Sequence, residues 1–394
     1  MTLDLDKHLS NRAKQLRGSL GPQTSVPIEG LINLGSGTPD FTPPDFLFQA
    51  MAKAMAERRI QYTAWTGIPE LRAAIAEKLR VENGFEVDPA SEIIVTSGAQ
   101  EALMATLMAL LDPGDEALTP SPNYDEYTRD ATALGAILVP VPARPETNFT
   151  IDVSDLEAAI TPRTKALIVV TPNNPTGTVL PEATLRAIAQ LAQERDLIVI
   201  SDEIYEYYVY GDHRHVSMAS LPGMKERTIT INSFSKSFAM TGLRLGYIAA
   251  PAGLIQAILP FHHAMMICAN VVTQYGGLAL LSQPRDWFSQ HVLAEYDRRR
   301  QLWMKRLDEI DLPYSEPQGA YYVFIDIRPT GLTSAEFVAR ARSEARLVFQ
   351  PGTIGGGAGE GFIRGALTKG SPEFEEGLER FAAFIQQLRT ERGS

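Results

Sequence analysis

The chain has 394 residues, enough for about two or three domains and a large buried core. Hydrophobic residues make up 44% and charged residues 21%, and Gly 30 and Pro 26 follow no repeat, so disordered, collagen-like and low-complexity readings fall. A net charge of −11 argues against nucleic acid or an anionic membrane as partner. No run of ~18 apolar residues occurs, so no membrane-spanning helix is expected. The opening MTLDLDKHLSNRAKQLRG carries charge without an apolar core, so no secretory signal is expected and a reducing, cytoplasmic setting is. The single cysteine, Cys268, excludes an intrachain disulfide and cysteine-based metal clusters within one chain. In the stretch Met265-Met266-Ile267-Cys268 it reads as a small core residue.

Short apolar runs alternate with helical patterns through the first two thirds of the chain. The runs are Ile93–Val95, Ala117-Leu118, Ile137–Val139, Ala166–Val170, Leu197–Ile200 and Thr228–Ile231, several of them apolar at successive positions. That suits parallel strands covered on both faces. The spacing predicts helices over Ala99–Leu111 and over Pro181–Arg195, the latter opening on proline. This alternation predicts an α/β fold with a mostly parallel sheet sandwiched by helices. After about residue 250 the pattern changes. A helix is expected over Asp286–Glu309, with Arg298-Arg299-Arg300 read as its solvated face. Then come a strand in Ala320–Ile325, a helix near Thr333–Ala345, short strands near Leu347-Val348 and Phe362-Ile363, and a last helix from Pro372. The expected organisation is an N-terminal segment (1–45) packed with a small α+β domain (286–394), and a large α/β domain between them (46–285).

The chemistry lies in the residues directly after each strand, because ligands of open α/β sheets bind beyond the carboxyl ends of strands. Five polar clusters stand at five such ends: Thr96-Ser97-Gly98-Ala99-Gln100, Thr119–Tyr124, Thr171–Gly177, Ser201-Asp202-Glu203-Ile204-Tyr205 and Asn232-Ser233-Phe234-Ser235-Lys236. They predict one shared pocket. Ser97–Gln100 opens a helix, whose free N–H groups suit a phosphate as well as a simple cap. Asn174-Pro175-Thr176-Gly177 reads as a turn, and Tyr124 alone as core packing. Asp202 directly after a buried strand needs a charged or hydrogen-bonded partner. Lys236 is the sharpest residue, set between two serines with Arg244 eight residues on. A lysine desolvated among such neighbours has a lowered pKa and attacks carbonyls as the free amine.

Together these residues resemble the class I/II aminotransferases, fold-type I enzymes that use pyridoxal 5'-phosphate. Gly37-Thr38-Pro39-Asp40-Phe41, then Tyr62-Thr63 with Gly67-Ile68-Pro69-Glu70-Leu71-Arg72, then Asn173–Gly177, Ser201–Tyr205 and Ser233-x-Ser235-Lys236-x-Phe238-x-Met240-Thr241-Gly242-x-Arg244-x-Gly246-Tyr247 are similar to the family's motifs in order and spacing. The resemblance runs from about residue 30 to 385. It implies that Lys236 forms a Schiff base with the cofactor and shuttles a proton, that Asp202 pairs with the ring nitrogen, and that Asn174 and Tyr205 hydrogen-bond the phenolic oxygen. It further implies Tyr124 stacked on the ring, and a phosphate cup of Ser97, Gly98, Ala99, Gln100, Ser233, Ser235 and Arg244. Arg364 would grip the substrate α-carboxylate with its planar fork, beside Gly37 and Asn174. Tyr62 would reach the phosphate of a partner subunit, which implies a homodimer. The family's Pro-Gly-x-x-Phe-Gly loop reads here Pro351-Gly352-Thr353-Ile354-Gly355-Gly356-Gly357, with glycines in place of the aromatic.

The expected reaction is the ping-pong transfer of an amino group between an L-amino acid and a 2-oxo acid. A β-eliminating lyase or an acyl-transferring synthase on the same cofactor is the alternative within the fold. Ser233-Phe234-Ser235-Lys236 also fits the Ser-x-x-Lys motif of acylating enzymes, but the companion Lys-Thr-Gly is missing. Nucleotide-binding glycine motifs and His-Glu-x-x-His are absent, and His213, His215, His262 and His263 read as surface or interface residues rather than metal ligands.

Overall fold

The apolar runs become the strands of one seven-stranded sheet in a computed structural model, which describes residues 4–18, 29–284 and 286–393. In spatial order the strands are Ile93–Thr96, Gly246–Ala249, Thr228–Ser233, Ile198–Asp202, Thr164–Val170, Glu116–Ser121 and Ile137–Pro142. Neighbours run parallel except at Gly246–Ala249, which is antiparallel to both its partners. Within Thr164–Val170, Leu167 and Val169 join the core beneath the helix Glu182–Glu194. Ile168 and Val170 join the opposite core, beneath Ala99–Leu110 and Ala252–Met266. That alternation is what a strand covered on both faces requires. Each fully buried Leu or Ile there stabilises the sheet by roughly 1.5–3 kcal/mol.

A second sheet has four antiparallel strands among the described residues, in the order Gln350–Pro351, Phe362–Ala366, Tyr322–Asp326 and Tyr314–Ser315. The helices Ala294–Glu309, Ser334–Glu344 and Glu373–Gly393 contribute Trp303, Phe337, Phe374 and Phe381 to its core, which Ile32 and Leu34 also enter. Thr333 and Glu336 close a reciprocal capping box at the start of the middle helix. Ile32–Asn33 pair in parallel with Leu347–Val348 in a separate two-stranded sheet, which joins the N-terminal segment to the chain just before Gln350–Pro351. We propose the division at residues 45 and 285 as the domain organisation. The separation of the seven-stranded from the four-stranded sheet and the pairing of Ile32–Asn33 with Leu347–Val348 support it. Among the described residues no helix is long and apolar enough to cross a membrane.

Three sequence expectations need correction. The stretch Asp286–Glu309 is not one α-helix: a π-helical turn at Ser289–Leu293 precedes Ala294–Glu309. The arginine triplet is not a solvated face. Arg299 is buried and bonds both Asp40 oxygens at 2.9 Å, Glu295 Oε1 at 2.8 Å and the Leu367 carbonyl at 2.8 Å. Its carboxylate partners offset the cost of burying the guanidinium. Cys268 is half-buried rather than core, because the helix ends at Met266 and leaves Met265, Met266 and Ile267 exposed.

Candidate active site

The carboxyl ends of the central strands open onto a cavity of about 340 Å³. Of the residues that sequence reasoning singled out, Gly37, Ala99, Gln100, Tyr124, Asn174, Asp202, Tyr205, Ser233, Ser235, Lys236, Arg244 and Arg364 line it. Its lining carries three cations, Lys236, Arg244 and Arg364, against the single carboxylate of Asp202. Such a balance favours ligands bearing more than one negative charge.

Lys236 sits on a single helical turn, Phe234–Ser237, directly after the strand Thr228–Ser233. Ser233 caps that turn, accepting from the Ser235 N–H at 3.0 Å and donating to the Leu245 carbonyl at 3.1 Å. The Ser233 hydroxyl therefore shapes the turn, whereas the buried Ser235 Oγ has no partner. The Lys236 amine donates to the Gly37 carbonyl at 2.8 Å. Burial lowers its pKa, and Arg364 and Arg244 add to this against the pull of Tyr322 and Asp202.

Asp202 closes the strand Ile198–Asp202 and is buried. Tyr127 donates to Oδ2 at 2.6 Å and the Ile204 N–H to Oδ1 at 3.2 Å. Burial nonetheless pushes the carboxyl up to about 6. Behind it, Glu203 is satisfied by Ser201, Ser217 and His215, which lowers its pKa against burial. His215 and His262 are thus mostly buried, not surface residues. His262 bridges Glu101 and the Trp65 carbonyl, each at 2.9 Å. Glu203, Glu206 and His215 lie close enough to share an ion, but Lys78 and Asn83 already pair with Glu206.

At the other end, Arg364 comes from the small sheet. Its Nη1 donates to Asn174 Oδ1 at 2.9 Å and its Nη2 to the Gly35 carbonyl at 3.0 Å, while its buried Nε has no partner. The guanidinium lies 4.3 Å over the Tyr322 ring. The Tyr322 hydroxyl is 3.1 Å from that of Tyr205. A Cβ on Gly37 would meet the Tyr322 oxygen at 2.9 Å, so the backbone approaches here because it carries no side chain. The glycines that replace the expected aromatic pack against the turn after Glu116–Ser121. A Cβ on Gly355 would come 2.6 Å from the Asn123 carbonyl oxygen.

Gly98 precedes the helix Ala99–Leu110 with φ at 80°, and a Cβ there would strike Arg244 Nη2 at 2.5 Å. Ser97 and Gly98 therefore lie against Arg244 outside the cavity lining, with the Ser97 N–H held by Glu101 at 3.0 Å. The Gln100 side chain is bound to Asp130 at 2.8 Å, which leaves its backbone N–H for a ligand. Tyr62 stands apart, 78% exposed. Sequence reasoning missed Tyr127 and Tyr322, and it quoted Thr38 and Thr241 of the lining in motifs without giving them a role. Tyr127 lies one helical turn past Tyr124, and Tyr322 opens a strand, so position relative to an element's start was the available signal for both.

The model of the family "Aminotransferase class I and II" matches residues 29–381. An aspartate aminotransferase of Pyrococcus abyssi is 42% identical over 363 residues, 92% of this chain and 93% of that protein. Aromatic-amino-acid aminotransferase 2 of Thermococcus litoralis is 41% identical with the same coverage. The crystal structure of an aromatic aminotransferase from Pyrococcus horikoshii matches with a TM-score of 0.89 at 42% identity, covering 92% of this chain and 97% of that one. The chain belongs to the class I and II aminotransferase family, on the fold-type I scaffold. It is an aminotransferase of the aspartate- and aromatic-aminotransferase-like group, a family that uses pyridoxal phosphate. The lyase, synthase and Ser-x-x-Lys readings fall away.

Proposed function

We propose that this aminotransferase holds pyridoxal 5'-phosphate in the described cavity, linked to Lys236, and moves an amino group between an L-amino acid and a 2-oxo acid in two successive half-reactions. The observation that carries the reading is the set of unspent groups around Lys236. The buried Ser235 Oγ and Arg364 Nε lack partners, and Asp202 is a buried carboxylate without a facing cation in direct contact. A phosphate, a substrate carboxylate and a protonated ring nitrogen satisfy these three in turn. The cofactor, when bound, supplies an electron sink for the substrate Cα.

The chain's own residues do the rest. The backbone N–H groups of Ala99 and Gln100, with Ser235 and Arg244, hold the phosphate, and Ser97, Gly98 and Ser233 shape that cup. Asp202 keeps the ring nitrogen protonated, with Tyr127 orienting the carboxylate. Asn174 and Tyr205 bind the phenolic oxygen, and Tyr124 covers the ring face. Arg364 orients the α-carboxylate against Asn174 and the Gly37 backbone. Lys236, its amine pKa lowered by burial, would take the proton from the substrate Cα and deliver it two atoms along, to the cofactor carbon C4′.

We infer a homodimer in which Tyr62 reaches the partner's phosphate. Support comes from large side chains that a monomer leaves in water: Met55, Ile60, Tyr62 and Trp65 are each more than half exposed. A cytoplasmic setting accords with the single half-buried cysteine. The relatives' names cover aspartate and aromatic amino acids, and a spectral half-reaction screen of both classes identifies the donor. The test of the reading is Lys236→Ala, which abolishes turnover in the absence of added amine while leaving the circular dichroism unchanged. Near-wild-type transamination by that variant overturns it.

A further inference from the structure

Tyr205 reaches the cavity from the turn after the large-sheet strand Ile198–Asp202, and Tyr322 from the first position of the small-sheet strand Tyr322–Asp326. Both are buried, and their hydroxyl oxygens are 3.1 Å apart. A hydroxyl has one proton to donate. If Tyr205 spends its proton on the phenolic oxygen of the cofactor, the bond between the tyrosines requires Tyr322 to donate. We propose that Tyr322 is a positioning residue that donates to the Tyr205 oxygen, fixes the rotor of that hydroxyl and strengthens the hydrogen bond Tyr205 gives to the cofactor. This inference rests on the proposed cofactor reading and extends it by one residue.

The surroundings favour that direction. Burial works against ionisation of Tyr322, but Arg364 above its ring, Lys236 beside it and its contacts with the Tyr205 and Tyr321 hydroxyls together hold its phenol below the ordinary value. Tyr205 is held well above its ordinary value, by burial first and then by Tyr322. Of two bonded hydroxyls, the more acidic is the better donor. Two other phenols face the pair, and Tyr321 stands close enough to the Tyr322 hydroxyl to favour its ionised form. Tyr321 gives its proton to the Gly37 carbonyl at 2.7 Å, and Tyr124 interacts with Tyr322 only through charge. Gly37 leaves the space the Tyr322 hydroxyl needs, since a Cβ there would stand 2.9 Å from it. Linked hydrogen bonds strengthen one another by roughly 10–30% per bond, and the freed rotor adds an orientational loss when the donor is removed.

Tyr322→Phe removes the hydroxyl and keeps the ring beneath Arg364. The variant, Tyr205→Phe and the double variant are prepared as holoenzymes and titrated by visible absorbance against pH without substrate. A hydrogen bond to the phenolic oxygen favours its anionic form and so keeps the apparent pKa of the lysine-linked chromophore low. Tyr322→Phe is expected to raise that pKa by about 0.3–0.5 unit and Tyr205→Phe by more. The double variant is expected to titrate with Tyr205→Phe, because Tyr322 acts only through Tyr205. A downward shift in Tyr322→Phe would mean that Tyr322 had been taking the Tyr205 proton, and it overturns the proposal. No shift, or a shift of equal size in the Tyr205→Phe background, does so too. Lys236→Ala separates the two levels: if the lysine-linked band survives in that variant with the wild-type pKa, the cofactor reading itself fails, whatever Tyr322 does.

Discussion

Asp202→Asn in the cofactor-free protein measures what the site costs the fold. Burial lifts the Asp202 carboxyl from an ordinary 3.8 to about 6, and the bonds from Tyr127 and the Ile204 N–H only partly offset this. The native value lies above the unfolded one, so the protonated group's contribution to stability is full below about 3.8 and is lost as pH rises through about 6. At ~1.4 kcal/mol per unit, that loss is about 3 kcal/mol. Asparagine stays neutral and still accepts from Tyr127 through Oδ1. The variant's stability relative to wild type therefore rises by about 3 kcal/mol between about pH 4 and pH 7. Asp130, which burial pushes up to about 7, titrates in both proteins and cancels in the difference. Urea unfolding of both cofactor-free proteins across that range reads the difference directly. Pyridoxal phosphate, supplying a cation to the carboxylate, should then stabilise wild type more than the variant. A stability difference that stays constant to within ~1 kcal/mol over the range would refute the reasoning, because it would mean that Asp202 is already paired.

Two further outcomes test the site. Arg364→Lys keeps the charge but loses the fork, so KM should rise roughly 10- to 100-fold for every amino acid alike. Steady-state kinetics over a donor panel check this, and a change in side-chain preference would place Arg364 in the distal pocket instead. On the proposed shared site, in which Tyr62 acts in trans, a hybrid dimer of one Lys236→Ala chain and one Tyr62→Ala chain should retain about one good site, half the wild-type activity. Activity no higher than that of the Tyr62→Ala homodimer, or full activity of a monomer, sinks the shared site.

That Lys236, Asp202, Gln100 and Ser235 meet at one cavity is legible in the sequence because apolar runs mark where strands end and the polar clusters stand directly after them. Tyr127 and Tyr322 are not. An aromatic on a helix or opening an apolar strand gives the same signal whether it packs in a core or points a hydroxyl into a cavity. Arg299 was misread for a related reason. A charge triplet on a helix looks solvated until the fold brings Asp40 to it from 259 residues away. The antiparallel course of Gly246–Ala249 depends on the path of the chain between strands, which strand composition does not encode. The glycines at 355 and 356 are equally a product of tertiary approach, since Asn123 and Ser121 come too close for a side chain.

The cavity is shared between two sheets, and the segment around Gly37 shows how they are tied. Gly35 accepts from Arg364 at 3.0 Å, Ser36 from Thr368 at 2.8 Å and Gly37 from Tyr321 at 2.7 Å, while Asp40 is gripped by Arg299. All four donors belong to the small-sheet side. Among the described residues the segment's hydrogen bond to the turn Phe234–Ser237 of the large sheet is the 2.8 Å bond from Lys236 to the Gly37 carbonyl. On the proposed reading, a lysine linked to the cofactor would give up that bond and leave the four others in place. Arg364 and the Gly37 backbone, proposed to hold the carboxylate, would then form one unit with the small sheet, and Asp202, Ser235 and Arg244, proposed to hold the cofactor, another with the large sheet. Side-chain packing and the Tyr205–Tyr322 and Asn174–Arg364 bonds set the distance between the two units. An enzyme that must admit and release two different acids in succession has use for a carboxylate site able to shift while the cofactor site stays fixed.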